Sequence, residues 1–536
     1  MEIISNGHKV DSYARRTANY KPNIWNYDHL QSLTSKYDEE KYKGEAEMLK
    51  EEVCGILGAL KDPLHKLELI DGINKLALSY YFEEEISTSV DEIACMTCTT
   101  GYSMYHDLYS AALYFRVLRQ HGYHVSEDEI LQLLDAEEIK LITTTHSDDK
   151  SRLEIFEASH LGLEDECLIG RAKELFAAKN LNTNSAKCPS HWSVIWFNVK
   201  KHIHAHNNST VLHKLAGLSF NLVQVQHQKE LKEILRWWRN LGLSEALTFT
   251  RDRAVESFLW AVGVAYEPQY GSLRKWLTKA ILLVLIIDDV YDIYGSKHEL
   301  EQFTIAVERW HPREIQELPE AIKRCFWALY DTANDIDHEI QKVKGWKSVL
   351  PHLKKVWTGF CKALLVEAKW YDKGQFPSLR EYMDNGWTSS SGPLLSLHAL
   401  FGVGQNMTQT MATFNNNQQI IHHASLIFRL CNDQGTSKAE LERGDAPSSI
   451  LCYMREANVS ELEARDQIRN ITNESWKKMN GLFIRSPHSQ QPMIRYVVNI
   501  AKVANFIYQN GDGCGVQDRE TRNQVLSCLI DPLPLL

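Results

Sequence analysis

The stretch AILLVLIIDDVYDIYG (residues 280–295) places three carboxylates, Asp288, Asp289 and Asp292, directly after eight apolar residues. Burying an unpaired carboxylate costs several kcal/mol or more, so these acids either emerge into water or line a polar cavity. If the apolar run is helical, Asp288 and Asp292 share one face, about 6 Å apart along the axis. Two carboxylates at that spacing can bind a hard divalent cation such as Mg²⁺. A capped, solvated helix end would give the same pattern.

A second oxygen-rich segment follows another apolar stretch. In RLCNDQGTSKAELERGD (429–445), Asn432, Thr436 and Glu440 recur every four residues and would share a helical face. Amide, hydroxyl and carboxylate oxygens form an oxygen-only ligand set that suits Mg²⁺. Two such helix ends in one chain predict two facing walls of a single cavity.

Arginines accompany both segments. Arg251 and Arg253 form an RDR sequence upstream of Asp288, and Arg429 lies one turn before Asn432. Arginine binds phosphate oxygens in a bidentate manner. Divalent metals and arginines in one pocket predict a polyanionic substrate, most simply a diphosphate.

The rest of the chain is patterned for helices. Apolar residues recur at three- and four-residue steps in 41–60 and 227–243, and clear period-two strands are missing. A length of 536 residues exceeds the usual limit for one hydrophobic core. We therefore predict an all-α protein with two helical domains, 1–210 and 211–536, divided at the polar segment HAHNNST (204–210).

Composition excludes several classes of function. The chain is 44% apolar and 24% charged, which is typical of a globular protein. A net charge of −10 without any basic run argues against a nucleic-acid partner. No apolar run reaches the roughly 18 residues that a membrane span needs. The eleven cysteines are scattered, which indicates reduced thiols in an intracellular compartment.

Taken together, DDVYD, NDQGTSKAE, RDR and RRTANYKPNIW (15–25) resemble a plant class I terpene synthase over nearly the whole chain. The RR-x8-W pattern of Arg15, Arg16 and Trp25 is most similar to the angiosperm monoterpene synthases. The resemblance implies a C-terminal class I terpenoid synthase-like helical bundle. No DxDD sequence occurs in the N-terminal domain, which should be a non-catalytic scaffold.

The resemblance also implies roles for individual residues. The expected ligands of three Mg²⁺ ions, or alternatively Mn²⁺, are Asp288, Asp289, Asp292, Asn432, Thr436 and Glu440. The residues expected to bind the diphosphate as it leaves are Arg251, Arg253 and Arg429, beside the ligands Asp288, Asp292 and Asn432. Arg15, Arg16 and Trp25 are expected to form a strap that keeps water from a carbocation, although a surface basic pair would be the simpler interpretation.

Pocket residues follow from the same resemblance. Trp260, Tyr508 and Asp512 match catalytic pocket positions, although aromatic residues at helical spacing usually belong to a core. A well-placed indole stabilises a desolvated cation by about 2 kcal/mol. Pro393 in SSSGPL (389–394) predicts a helix break whose carbonyls point at the cation, with an ordinary loop as the alternative. Ser448 stands where many relatives carry a lysine that helps bind diphosphate, which weakens that expectation.

The preferred hypothesis is a Mg²⁺-dependent monoterpene synthase that ionises geranyl diphosphate and releases diphosphate, with a cyclic product expected. The alternatives are a sesquiterpene synthase acting on farnesyl diphosphate and, in a different class, a non-catalytic helical scaffold. An isoprene synthase is disfavoured because Ile281 stands where that group has a Phe. We expect a monomer, located in the plastid if a transit peptide precedes Met1 and otherwise in the cytoplasm.

Overall fold

The computed structural model describes residues 18, 20–100, 107–128, 130–133, 149–168, 170, 189–205, 210–443, 448–513 and 515–534, with only the backbone at 97–100, 149, 205 and 439–443. Arg15 and Arg16 therefore lie outside the described residues, as does the side chain of Glu440. Within these ranges all the regular structure is helical, so the predicted all-α class is confirmed. No helix of the described part is long and apolar enough to cross a membrane.

The helices, in chain order, are α1 (Tyr27–Ser32), α2 (Glu40–Ala59), α3 (Pro63–Lys75), α4 (Glu83–Thr100), α5 (Leu108–Gln120), α6 (Asp149–Ser159), α7 (Ile195–Ala205), α8 (Val211–Leu241), α9 (Leu243–Ala246), α10 (Ala254–Val264), α11 (Gly271–Asp289), α12 (Lys297–Arg309), α13 (Glu320–Lys344), α14 (Leu350–Asp372), α15 (Leu379–Ser389), α16 (Gly392–Val403), α17 (Met407–Asn416), α18 (Gln418–Arg443), α19 (Ser449–Ala457), α20 (Glu461–Arg485), α21 (Gln491–Tyr508) and α22 (Arg519–Val525).

The long helix α8 shows how local sequence sets these limits. The Thr210 hydroxyl caps its start by accepting a hydrogen bond from the amide of His213. It ends at Gly242, whose positive φ of 64° favours glycine. Its apolar positions are buried along most of its length, as the periodicity around 227–243 predicts.

Helix α8 also connects the two halves of the chain. It packs against α2 on one side and against α10 and α11 on the other. One hydrophobic cluster extends from Tyr27 to Leu533 and includes residues of both predicted domains. The predicted boundary at 210/211 falls between α7 and α8, and the division into two domains there stays a prediction.

The C-terminal helices form the bundle that positions the two oxygen-rich segments. Helix α11 packs against α10, α13 and α16, and α18 packs against α15, α16, α20 and α21. Both helices are apolar where they lie inside the bundle, and both carry their acids toward their C-terminal ends. The bundle thereby supports the two acidic segments from the same core.

Candidate active site

The aspartate-rich segment lies where α11 changes its helical geometry. The α-helix ends at Asp289, and Val290–Tyr294 continues as a π-helical turn, closed by a hydrogen bond from the amide of Gly295 to the carbonyl of Val290. Such wider turns are rare and are often found at functional sites. Asp292 is therefore placed by the wider turn rather than by the continuous α-helical face that the sequence predicts.

The three acids occupy different environments. Asp289 is buried, whereas Asp288 and Asp292 are half-buried. The side chain of Asp288 keeps 30% of its surface exposed, so one of its oxygens can face a ligand. Asp288 and Asp292 are thus the partly exposed members of the triad.

Asp289 instead holds Arg251 of the RDR sequence. Its Oδ2 accepts hydrogen bonds from the backbone amide of Arg251 at 2.9 Å and from Nε at 3.3 Å, and Oδ1 lies 2.9 Å from Nη2. Tyr20 adds a hydroxyl hydrogen bond to Oδ1 at 3.0 Å. The same guanidinium reaches Asp288 at 2.7 Å. Asp289 is therefore an anchor for Arg251 in this structure.

The two charges of this buried pair respond differently to their surroundings. Burial raises the pKa of Asp289 to about 6, although Arg251 opposes the shift. Burial alone would lower the pKa of Arg251, but the carboxylates around it, including Asp288 and Asp512, raise that pKa above its ordinary value. Because about 6 lies below neutrality, we infer that the pair is ionised at pH 7.

The second wall is the C-terminal half of α18. Asn432 is half-buried and Thr436 is buried, and the Thr436 hydroxyl donates to the carbonyl of Asn432 at 2.9 Å. The backbone of Glu440 continues the same helix. The predicted spacing on one helical face is thus confirmed for the backbone of all three positions.

Arg429, one turn before Asn432, is fixed by groups that the sequence did not single out. Its Nη2 donates to Ser389 Oγ at 2.8 Å and lies 3.6 Å from Glu367, while Nη1 lies 3.9 Å from Asp433. Burial raises the pKa of both Glu367 and Asp433, and Arg429 opposes both shifts. These buried acids hold the guanidinium in place.

The two acidic helix ends lie close enough to act on each other electrostatically. Asp288 of α11 is among the charges that raise the pKa of Arg429, and it also raises the pKa of Glu367 beside it. Gly435 lets α18 approach the turn after α21, because a Cβ there would lie 2.7 Å from the carbonyl oxygen of Gly511. That turn carries Asp512, which acts on Arg251.

Arg253 differs from Arg251 in what it contacts. It is buried, and its guanidinium donates to the carbonyls of Gly515 at 3.0 Å and Lys21 at 3.4 Å. It therefore joins the N-terminal segment (residues 20–26), which has no regular structure, to the C-terminal loop (residues 509–513 and 515–518). The structure brings Arg251 and Arg429 to the acidic helix ends, whereas the guanidinium of Arg253 donates to backbone carbonyls.

An aromatic row lies beside the acidic helix ends. The ring of Trp260 on α10 is 5.0 Å from that of Phe428 on α18, which stacks on Tyr508 of α21 at 6.3 Å. Trp260 and Tyr508 are buried and Phe428 is half-buried. The structure thus brings two predicted pocket residues together and adds Phe428, which the sequence analysis missed.

The helix break in SSSGPL is present. Helix α15 ends at Ser389, Ser391 adopts a left-handed conformation (φ 67°), and α16 begins at Gly392 with Pro393 in its first turn. A Cβ on Gly392 would lie 2.0 Å from Ser425 Oγ, so glycine permits the close approach to α18. The break places Ser389 against Arg429.

Trp25 anchors the N-terminal segment next to the site. Its indole Nε1 donates to Glu256 Oε1 at 2.7 Å, and Gln517 donates to the same oxygen at 2.7 Å. Burial raises the pKa of Glu256, and its Oε2 has no hydrogen-bond partner among the residues that the structure describes. The N-terminal segment, which contains Tyr20 and Trp25, thus contacts α10, the C-terminal loop and Asp289.

The donor set of the site fits a hard cation. Among the side chains that the structure describes, no three of His, Cys, Asp and Glu form a complete metal cage. The groups on the facing walls are carboxylate, amide and hydroxyl oxygens, and they leave coordination positions for water and phosphate oxygens. This incomplete, oxygen-only set is what Mg²⁺ accepts.

Comparisons with known proteins agree with this arrangement. The family model "Terpene synthase family, metal binding domain" matches residues 239–478, and "Terpene synthase, N-terminal domain" matches residues 24–204. The chain is 47% identical to an α-farnesene synthase of Ricinus communis, over 97% of this chain and 96% of that one. It is 41% identical to a chloroplastic α-thujene synthase of Litsea cubeba, over 98% and 93% respectively.

A solved structure shows the same fold. The isoprene synthase of grey poplar (Populus x canescens), in complex with three Mg²⁺ ions and dimethylallyl-S-thiolodiphosphate, is 36% identical and superposes with a TM-score of 0.83, covering 96% of this chain and 99% of that one.

The fold and the site define a metal-binding enzyme of the helical-bundle class. The chain belongs to the terpene synthase family, whose members are lyases that act on prenyl diphosphates. The predicted family is confirmed.

Proposed function

We propose that this protein ionises a linear prenyl diphosphate and converts the resulting allylic cation into a terpene hydrocarbon. The observation that carries the proposal is the position of Asp288. It lies 2.7 Å from Arg251 on one side and acts electrostatically on Arg429 of the opposite wall. Two fixed cations beside an open carboxylate suit a diphosphate that bridges the walls.

The metal would be held by residues of both walls. Asp288 and Asp292 would bind it from α11, and Asn432, Thr436 and Glu440 from α18. When bound, Mg²⁺ would stabilise the negative charge that the departing diphosphate acquires. Asp289 was expected to be a ligand, and its hydrogen bonds support instead a role in fixing Arg251.

The protein's own groups would guide the rest of the reaction. Arg251 and Arg429 would bind the leaving diphosphate, since both are fixed in advance by buried acids. The faces of Trp260, Phe428 and Tyr508 offer electron-rich surfaces to an allylic cation. A strap over the cavity would delay capture of the cation by water.

For the chain length of the substrate we propose farnesyl diphosphate, with a sesquiterpene as product. The support is the 47% identity to the α-farnesene synthase over nearly the whole chain, against 41% for the α-thujene synthase. This reverses the preference for geranyl diphosphate that the sequence motifs suggest. Geranyl diphosphate stays the second candidate because of the RR-x8-W pattern, of which Trp25 is docked on Glu256.

The test is turnover of each substrate by the purified protein with Mg²⁺. Geranyl and farnesyl diphosphate are supplied separately and together at equal concentration, and the volatiles are identified by gas chromatography–mass spectrometry. We expect a higher kcat/KM with farnesyl diphosphate and no product with Asp288→Asn. A preference for geranyl diphosphate would reverse the proposed chain length, and no product from either would refute the proposed reaction.

We further propose that the protein acts as a monomer and that its compartment follows its substrate. The α-thujene synthase relative is chloroplastic, which supports a plastid location if geranyl diphosphate is used. Use of farnesyl diphosphate would support a location in the cytoplasm. A full-length fusion to a fluorescent protein, imaged in plant cells, distinguishes the two.

A further inference from the structure

A cavity of about 1180 Å³ lies away from the acidic helix ends, between the N-terminal and C-terminal halves of the chain. Its walls come from α3, α4, α5 and α7 on one side and from α20 and α21 on the other. None of the residues assigned above to the metal, the diphosphate or the aromatic row lines it. Cavities at such interfaces are frequent binding sites for small molecules.

Positive side chains line one part of this cavity. Lys502 of α21 is half-buried and has no hydrogen bond or ion pair with any residue that the structure describes. Arg116 of α5 is 2% exposed and already paired with Asp71 and Glu154, and its buried Nη2 makes no hydrogen bond to a described residue. The same holds for Nε of Arg495, seven residues before Lys502 on the same helix. Lys502 thus lacks a partner among the described residues, whereas Arg116 and Arg495 already hold carboxylates.

The nearby carboxylates are engaged by the two arginines rather than by Lys502. Glu83 is already paired with Arg495 at 2.7 Å, and Asp71 with Arg116 at 2.8 Å. Around Lys502 the charge effects are those of cations: burial and Arg495 together lower its pKa to about 8. An uncompensated charge in such a place is costly unless a ligand completes it.

The remaining wall is suited to an apolar group. Tyr266, Met479 and Phe483 line the cavity beside the cationic end. We propose that this cavity is a second binding site, for an organic anion with an apolar tail, whose anionic head is held by Lys502 with Arg495 on the same helix. Because both halves of the chain line the cavity, the ligand would contact both of them. The proposal does not depend on the reaction at α11 and α18.

A metal-free binding experiment separates this cavity from the proposed active site. Farnesyl diphosphate is titrated into the full chain by isothermal calorimetry in EDTA, where the metal-dependent site is inactive. Farnesol tests the head group, inorganic diphosphate tests the tail, and dodecanoate tests a carboxylate in place of the diphosphate. We expect one equivalent of farnesyl diphosphate to bind, with farnesol at least tenfold weaker.

Matched variants assign the binding to the cavity. Lys502→Met should weaken binding at least tenfold, whereas Lys502→Arg should change it less than threefold. Lys478→Met, at a lysine of α20 outside the cavity whose side chain is 44% exposed, should leave binding unchanged, and so should Asp288→Asn. Tighter, Lys502-dependent binding of dodecanoate would support the site with a carboxylate ligand. Absence of metal-free binding of any charged probe, or binding that Lys502→Met does not weaken, would overturn it.

Discussion

The hydroxyl of Tyr20 donates a 3.0 Å hydrogen bond to Oδ1 of Asp289, a residue 269 positions further along the chain. The Tyr20 ring also lies 5.2 Å from the guanidinium carbon of Arg251, within the range of a cation–π contact. The N-terminal segment is therefore attached directly to the Asp289–Arg251 pair, whose arginine is proposed to bind the diphosphate. These contacts couple the position of the N-terminal segment to that of Arg251.

Replacing Tyr20 with Phe tests this coupling. The variant keeps the ring over Arg251 but removes one charge-assisted hydrogen bond, worth about 1–2 kcal/mol. We expect kcat/KM to fall about five- to tenfold. The fraction of alcohol products should rise, because a less firmly held N-terminal segment admits water to the site. Steady-state kinetics and product analysis measure both. An unchanged alcohol fraction would mean that the N-terminal segment excludes water without the hydroxyl of Tyr20.

The adjacent aspartates should separate activity from stability. Asp289→Asn leaves the buried Arg251 without its main counter-charge, so we expect a loss of about 3 kcal/mol in unfolding free energy together with loss of activity. Asp288→Asn should abolish activity but cost less than about 1 kcal/mol, since Asp288 is partly exposed. Urea unfolding at pH 7 provides the comparison. Equal destabilisation by the two changes would contradict the anchoring role of Asp289.

Glu256 offers a graded test of the Trp25 anchor. Glu256→Gln retains a side-chain oxygen for the Trp25 indole and removes a buried charge whose Oε2 is unpartnered, so stability should change by less than about 1 kcal/mol. Glu256→Ala removes the acceptor and should release the N-terminal segment. Hydrogen exchange of residues 20–27 should then rise at least tenfold in the Ala variant only. Similar exchange in both variants would show that the carboxylate charge is what holds Trp25.

Lys502 gives a pH-dependent prediction. Its pKa of about 8 lies below the ordinary value, so the folded state disfavours the charged form. The cost is present in full below about pH 8 and disappears as the pH rises toward that of an unfolded lysine. Lys502→Met should therefore stabilise the ligand-free protein at pH 7, by up to about 3 kcal/mol, and have little effect near pH 10.5. Urea unfolding at both pH values checks this, and Lys478→Met serves as the exposed control.

The close contact at Gly435 predicts a change in the pocket. A Cβ there would press on the carbonyl oxygen of Gly511, so Gly435→Ala should shift the turn that carries Asp512. We expect a loss of about 1–3 kcal/mol and an altered product ratio. Gly44→Ala is the matched control: it lies in α2 with open space around it and should stabilise slightly. An unaltered product ratio in the Gly435 variant would show that the turn does not shape the pocket.

Local sequence was sufficient for the helices and for the two oxygen-rich segments. Helices α2 and α8 follow the predicted apolar periodicity, and Asn432 and Thr436 share the helical face that their spacing predicts. The π-helical turn at Val290–Tyr294 was not predicted, because its widening depends on packing that periodicity does not encode.

The sequence by itself determined the helical class, the family and which segments carry the acids and arginines, since each is written in residue types a few positions apart. Only the tertiary structure decided what each charged group does. Asp289 anchors Arg251, Glu367 and Asp433 fix Arg429, and Lys502 lines a cavity between the N-terminal and C-terminal halves of the chain. These roles depend on burial and on partners distant in the chain, and neither can be inferred from local spacing, because the cost of a buried charge is set by the groups that folding brings beside it.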